Sequence, residues 1–162
     1  MVKYIELSKG KRALVDDEDF EYLSQFNWFV SSAGYAVRNE TVAKYKRRST
    51  LMHRDVLNAK KGLSIDHING DTLDNRKENL RECTHAQNLK NQKIRSTNTS
   101  GYTGVHLVKR RNTWAAKLRM DGRDYCLGEF PDKHDAARMY NFWAADMFGE
   151  YARLNVIKEE TK

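Results

Sequence analysis

Proline is almost missing from this chain: Pro131 is the only one in 162 residues, and it stands where a strand would stop. Cysteine is scarce too. Cys83 and Cys126 lie too far apart to suggest a disulfide framework, and two thiols rule out a four-cysteine zinc site. They read as free thiols, buried or half-buried, in a reducing compartment. No run of about eighteen apolar residues occurs, which excludes a membrane-spanning helix. The opening MVKYIELSKGKR has no apolar signal core, so secretion is not expected. No internal repeat or low-complexity segment is present.

What is there suits globular structure and a polyanion. Hydrophobic residues make up 40% and aromatics 10%, enough for real cores despite a mean hydropathy of −0.82. The length allows one ordinary domain or two small ones. The net charge is +7 and the pI about 9.4. The excess is local. Lys93, Arg95, Lys109, Arg110, Arg111, Lys117 and Arg119 follow one another with no acid between them, as a nucleic-acid footprint would.

Residues 1–50 read as short strands and one helix. Tyr4–Leu7 alternates, Ala13–Val15 follows a turn at Gly10, and Asp16 or Asp17 caps a helix running to about Gln25. Phe26–Val30 and Tyr35–Arg38 read as a hairpin. The basic run Lys44–Arg48 is either a solvated loop or a phosphate contact. Residues 93–100, KIRSTNTS, read as a linker. Residues 101–157 read as three antiparallel strands and one helix: a strand over 101–108, a second over 113–120, an Asp121-Gly122 turn, and a third over 125–130. Asp132 then caps a helix whose packed face carries Ala136, Tyr140, Trp143, Ala144 and Met147, with Gly149 at its C-cap.

The chemistry concentrates in SIDHINGDTLDNRKENLRECTHAQNLKN, Ser64 to Asn91. Ile65–Ile68 reads as a strand, Asn69-Gly70 as a turn, Leu80–Cys83 as a returning strand, and Thr84 with Gln87 as the capping box of a helix that carries Asn88. The order is strand, loop, strand, helix. Asp66-His67, Asn79 twelve residues after His67, and Asn88 nine further on resemble the HNH, or ββα-metal, nuclease family, in the variant common among homing endonucleases of phages and introns. The Asn69-Gly70-Asp71 turn, the Asp74-Asn75 and Asn79-Leu80 pairs and the upstream Met52-His53-Arg54 are similar to it as well. The likeness is close over 51–92 and loose before that.

That resemblance implies a metal-dependent endonuclease acting on double-stranded DNA. Asp66 and Asn88 would be metal ligands, His67 the general base, and Asn79 would hold the base or the loop. A carboxylate and an amide oxygen are hard donors, suited to Mg²⁺ or Mn²⁺. An imidazole with an ordinary pKa near 6.5 can take a proton from water at neutral pH. His53 either contacts the scissile phosphate or packs. His85 is a ligand, a phosphate contact or a surface residue. Arg54 and Arg81 are backbone contacts or plain surface charges. A DNA-binding regulator with an inactive nuclease motif is the alternative.

The string from Ser100 to Asn155 resembles the plant ethylene-response-factor DNA-binding domain, the AP-two type. The echoes are Gly101-Tyr102, Gly104-Val105, Trp114-Ala115-Ala116, Leu118-Arg119, Leu127-Gly128, Phe130, Ala136-Ala137 and Leu154-Asn155. The resemblance implies a sheet lying in the major groove, with His106, Lys117 and Arg119 facing DNA and Lys109, Arg110 and Arg111 on phosphates, unless that run is a solvated turn. Asp124 and Cys126 stand where Arg and Trp make contacts in that family, so its sequence preference does not carry over. The expected whole is an α+β protein: a nuclease domain over 1–92 with its ββα-metal motif at 51–92, a linker at 93–100, and at 101–157 a three-stranded sheet packed on one helix. Its expected setting is the cytoplasm of a bacterium or phage-infected host. One site per chain suits a nick, and a homodimer would cut both strands.

Overall fold

The computed structural model describes residues 1–157, and it mixes helices with antiparallel strands in an α+β architecture. The chain divides into two compact units between Asn88 and Leu89.

In the first unit, β1 (Val2–Glu6) and β2 (Arg12–Asp16) form an antiparallel hairpin. Helix α1 (Asp17–Leu23) opens with Asp17, Glu18 and Asp19, negative charges at its positive end. Asp16 precedes the helix without capping it by side chain, because its carboxylate accepts from the Lys77 amide at 2.8 Å instead. Strand β3 is only Phe29–Val30. The expected strand is cut short because Trp28 turns inward, where its indole N–H donates to the Leu23 carbonyl at 2.8 Å. Strands β4 (Ala36–Ala43) and β5 (Lys46–Leu51) complete a sheet of order β3-β4-β5. Of the basic run Lys44–Arg48, only Lys44 and Tyr45 form an exposed turn. Its last three residues pair in register as β5, with Thr41 opposite Arg47 and Glu40 opposite Arg48. Charged residues give no apolar alternation, so the strand was invisible in the sequence.

Helix α2 (Met52–Val56) leads to β6 (Ser64–His67), which pairs antiparallel with β7 (Leu80–Cys83) and is followed by the short helix α3 (His85–Asn88). Ile5, Leu7, Ala13, Val15, Leu23, Trp28, Ala36 and Met52 form the core, flanked by Phe20, Phe26, Val30, Val56 and Leu73. Each large apolar side chain removed from water contributes roughly 1.5–3 kcal/mol, and Leu73 ties the loop between β6 and β7 to this cluster.

In the second unit, β8 (Val105–Val108), β9 (Thr113–Met120) and β10 (Arg123–Phe130) form an antiparallel sheet of order β10-β9-β8. Strand β8 begins four residues later than the sequence suggests, because Ser100 Oγ bonds the carbonyls of Tyr102 and Val105 and folds that segment into turns. Asn98 Nδ2 also donates to the Tyr102 carbonyl, so the end of the 93–100 segment is tied into this unit. Helix α4 (Lys133–Phe148) starts where Asp132 accepts from the His134 amide at 2.7 Å. Its buried stripe is Ala136, Ala137, Tyr140 and Ala144, against Tyr102, Val105, Ala116 and Leu118. Trp143 and Met147, expected on that stripe, stay 39% and 43% exposed, because the alanines let the sheet approach along a line to one side of them. Cys83 is buried, whereas Cys126 is exposed on β10, contrary to the expectation of two sheltered thiols.

Candidate active site

Strand β6 puts successive side chains on opposite faces, so Asp66 and His67 look different ways. Both are buried. Asp66 stands opposite Arg81 in the β6–β7 register, and its Oδ2 accepts from Arg81 Nε at 2.9 Å and Nη2 at 2.6 Å. This ion pair has side chains only 5% and 12% exposed. Arg81, expected as a contact to a DNA backbone or a plain surface charge, is thus spoken for inside the chain.

His67 sits in a different environment. Its ring centroid lies 5.0 Å from that of His53 and 5.9 Å from that of Tyr35, and Tyr35 lies 5.4 Å from His53. Burial pushes the His67 pKa down; an interaction with the Asn75 side chain and the charges of Asp66, Asp71 and Asp74 oppose it. The imidazole is therefore neutral at physiological pH and able to accept a proton. His53 is pushed down to about 3, by burial first, then by repulsion from His67 once acid has protonated that ring, and by the Arg54 charge. It packs as a neutral ring.

The loop between β6 and β7 is held at both ends by Asn79. Its Oδ1 accepts from the Asn69 amide at 2.9 Å, its Nδ2 donates to the Asp74 carbonyl at 2.8 Å, and its own carbonyl accepts from the Ile68 amide at 2.9 Å. Within the loop, Asn69 Nδ2 donates to Asp74 Oδ2, Arg76 bonds both Asp74 oxygens, and Asp71 accepts from the Leu73 amide. The Arg76 guanidinium holds the Asp74 carboxyl below its usual range. Gly70 takes φ +72 in the tight turn, where its amide donates to the His67 carbonyl at 2.8 Å. The loop is also clasped from outside: Leu14 donates to the Leu73 carbonyl at 2.9 Å and accepts from the Asn75 amide at 2.7 Å.

Asn75 is fully buried. Its Nδ2 donates to the Leu73 carbonyl at 3.1 Å, which turns the amide oxygen toward the His67 imidazole with which this side chain interacts.

Asn88 closes α3 and is half-buried. The reciprocal capping box starts that helix: Gln87 N donates to Thr84 Oγ1 at 3.2 Å and Thr84 N donates to Gln87 Oε1 at 2.8 Å. The Asn88 backbone amide lies against the thiol of Cys83, itself opposite Ser64 on β6, so helix and hairpin meet here. His85 is exposed at the start of the helix. Arg54 spends its guanidinium on the carbonyls of Leu63, Lys60 and Ala59, stapling the loop after α2.

Among the described residues, no cluster of three or more His, Cys, Asp or Glu side chains could hold a metal ion. A pairing of one carboxylate with one amide oxygen falls outside such a cluster. The buried Asp66 carboxylate is already neutralised through Oδ2 by the Arg81 guanidinium, so an ion held by Asp66 would share that carboxylate with Arg81.

In the second unit, cross-strand pairing sets His106 opposite Ala115, Cys126 opposite Lys117 and Asp124 opposite Arg119. His106, Lys117 and Arg119 therefore share the sheet face turned away from α4. Arg119 reaches Asp124 at 3.4 Å, and Arg111 pairs with Glu129 at 2.7 Å. Lys109 and Arg110 are exposed on the β8–β9 turn.

Sequence reasoning did not single out Tyr35, and no motif marks it. The Asp66–Arg81 pair was open to it, since a two-stranded hairpin with Ser64 opposite Cys83 must set those residues face to face.

Residues 58–90 match the family described as HNH endonuclease. Two viral proteins are similar as well. The chain is 28% identical over 151 residues to an uncharacterized HNH endonuclease, L560, of Acanthamoeba polyphaga mimivirus, covering 92% of this chain and 77% of that one. It is 35% identical over 65 residues to Protein 3.8 of Escherichia phage T7, covering 40% of this chain and 54% of that one. No solved structure matches. These findings support an HNH endonuclease domain in this stretch and, with it, a nuclease acting on DNA. No described helix is long and apolar enough to cross a membrane.

Proposed function

We propose that this protein hydrolyses phosphodiester bonds in double-stranded DNA, as a site-selective nicking or cleaving enzyme of homing type. The observation that carries the reading is the buried, neutral imidazole of His67, next to Asp66 at the end of β6, where the loop fixed by Asn79 begins, within the stretch matching the HNH family.

His67 would remove the proton from a water as that water attacks phosphorus, and the bond to the 3′ oxygen would break. Tyr35 and His53 wall the ring on one side, which limits its rotation. Asn79 acts through the loop, keeping the strand end and the His67 carbonyl turn in one geometry. Asp66 and Asn88 would hold a divalent ion, Mg²⁺ or Mn²⁺, whose chemistry is charge neutralisation on the phosphate and the departing oxygen. The outward sheet face with His106, Lys117 and Arg119, and the turn with Lys109, Arg110 and Arg111, would grip duplex DNA in the manner of the AP-two type domains. Of the two arginines expected on the DNA from the motif region, Arg81 is paired with Asp66 and Arg54 bonds the carbonyls of the loop after α2, so both are engaged within the chain.

A plasmid-nicking assay tests this. The parent protein should convert supercoiled to open or linear DNA with Mg²⁺ and not with a chelator. His67→Ala should lose about 10²–10⁴-fold in rate, the usual worth of a general base, while binding DNA as before. A parent that binds DNA but never cuts it, with any divalent ion, would instead be a DNA-binding regulator with an inactive nuclease motif.

A further inference from the structure

The hairpin of β4 and β5 has features that the catalytic loop does not explain. Strand β3 covers β4 only at Ala36 and Val37. Beyond that, residues 38–43 and 46–50 run out as a bare two-stranded ribbon. Such a ribbon is marginal in water unless something packs on it. Residues 41–49 are all exposed.

Its charge divides sharply along its length. At the root, Arg38 lies over the Phe26 and Trp28 rings, 3.7 Å and 5.5 Å from their centroids, and pairs with Glu40 at 2.6 Å and Asp55 at 2.9 Å. The root is anchored and neutralised. Toward the tip, Lys44, Lys46, Arg47 and Arg48 follow within five residues, and among the described residues no carboxylate pairs with any of them. Tyr45 stands at the turn, 95% exposed, with φ +67. A bulky side chain in the left-handed region is disfavoured, and an exposed ring recovers nothing by burial.

The cations also face both ways. The ribbon has a bulge on β4 between Thr41 and Ala43, but β5 itself pairs through consecutive residues, so Arg47 points to one face of the ribbon and Lys46 and Arg48 to the other. A ribbon lying flat on a polyanion would need charge on one face alone. Charge on both faces and at the tip fits a ribbon standing between two rows of phosphates. The major groove of B-DNA, about 12 Å wide, is such a slot and admits a two-stranded ribbon. The deep, narrow major groove of an RNA duplex does not admit it.

We propose that the β4–β5 hairpin is a DNA-binding arm of the first unit that enters the major groove, with Lys44, Lys46, Arg47 and Arg48 on the flanking phosphates and Tyr45 leading into the groove. This rests on the endonuclease reading for its choice of DNA. It adds a DNA-gripping surface separate from the sheet of the second unit.

The test uses the full chain in a chelator, so that binding is read without cutting, on a duplex the parent cleaves. The parent is compared with K44Q/K46Q/R47Q/R48Q and with Tyr45→Ala. Each phosphate that the protein neutralises contributes about 0.9 to the slope of log affinity against log salt, so the quadruple variant should show a slope shallower by about 3.6. Tyr45→Ala should weaken binding with the slope unchanged. Dimethyl sulfate should show two clusters of protected guanine N7 atoms with the parent, and the quadruple variant should show one. Far-UV circular dichroism checks that the variants fold. An unchanged slope together with both N7 clusters intact overturns the arm, and so does equal affinity for an RNA duplex of the same sequence. If the parent cuts DNA and the variant binds like it, only the arm falls. If the parent neither binds nor cuts, the endonuclease reading falls and takes the arm with it.

Discussion

Replacing His53 by Phe should flatten the acid side of the first unit's stability profile. The ring is 5% exposed and its pKa in the folded unit is about 3, against about 6.5 in an unfolded chain. Between those values the unfolded state binds a proton that the folded state refuses. The contribution to stability is therefore fully present above pH 6.5 and is lost as pH falls toward 3. At about 1.4 kcal/mol per pH unit, this one ring makes the parent about 3 kcal/mol less stable at pH 4.5 than at pH 6.5, and about 5 kcal/mol less by the bottom of the window. Burial of His67 acts with the same sign, so the quantity to measure is the difference between parent and variant. The carboxyls of Asp17, Glu18 and Asp74 are held low by Lys3, Lys77 and Arg76, so what they contribute begins to fade as pH falls below about 4, equally in parent and variant. Phenylalanine keeps a ring edge against Tyr35 and His67 and cannot titrate. Urea unfolding between pH 7.5 and 4.5, followed by the amide signals of Ala36–Ala43 and Ser64–His67, gives both profiles. Parallel profiles for the two proteins would mean that His53 is protonated in the folded unit, and the argument from its burial would be wrong.

Asn79→Ala should destabilise the first unit by about 2–4 kcal/mol, since the Asn69 amide and the Asp74 carbonyl both lose a bond; urea unfolding measures it. Arg81→Met should cost about 3–5 kcal/mol by stranding the buried Asp66 carboxylate, and added Mg²⁺ should restore more stability to this variant than to the parent, read as a shift in Tm. Gly104→Ala should destabilise the second unit by more than about 3 kcal/mol. The new Cβ would lie 2.1 Å from the Tyr140 ring and 2.5 Å from the Lys117 carbonyl, at φ +73, and the loss would appear as a lowered Tm of that unit alone.

Much of the site region was legible because local chemistry fixes it. Asn69-Gly70 allows one kind of turn, Thr84 and Gln87 can only cap a helix start, and Asp121-Gly122 closes a hairpin whatever surrounds it. Other features were hidden because they depend on distant partners. Asp16 looks like a cap until Lys77 arrives from far along the chain to take its carboxylate. Arg54 and Arg81 look like free charges until the backbone carbonyls and Asp66 are set beside them. Tyr35 carries no signature at all; only folding brings it against the two imidazoles. On α4 the period of the apolar residues was right, but the stripe is centred on the alanines, because small residues let the sheet come near and leave Trp143 and Met147 outside.

The clasp that Leu14 makes on the β6–β7 loop has a consequence for how this catalytic cassette could be moved between proteins. The stretch resembling other nucleases begins at residue 58, yet Leu73 and Asn75 take their main-chain partners from the second strand of the chain. A transplant of that stretch alone would carry Asp66, His67, Asn79 and Asn88 and leave the bracket behind. Its loop would then be free to choose other shapes, and the His67 ring would lose the setting that orients it.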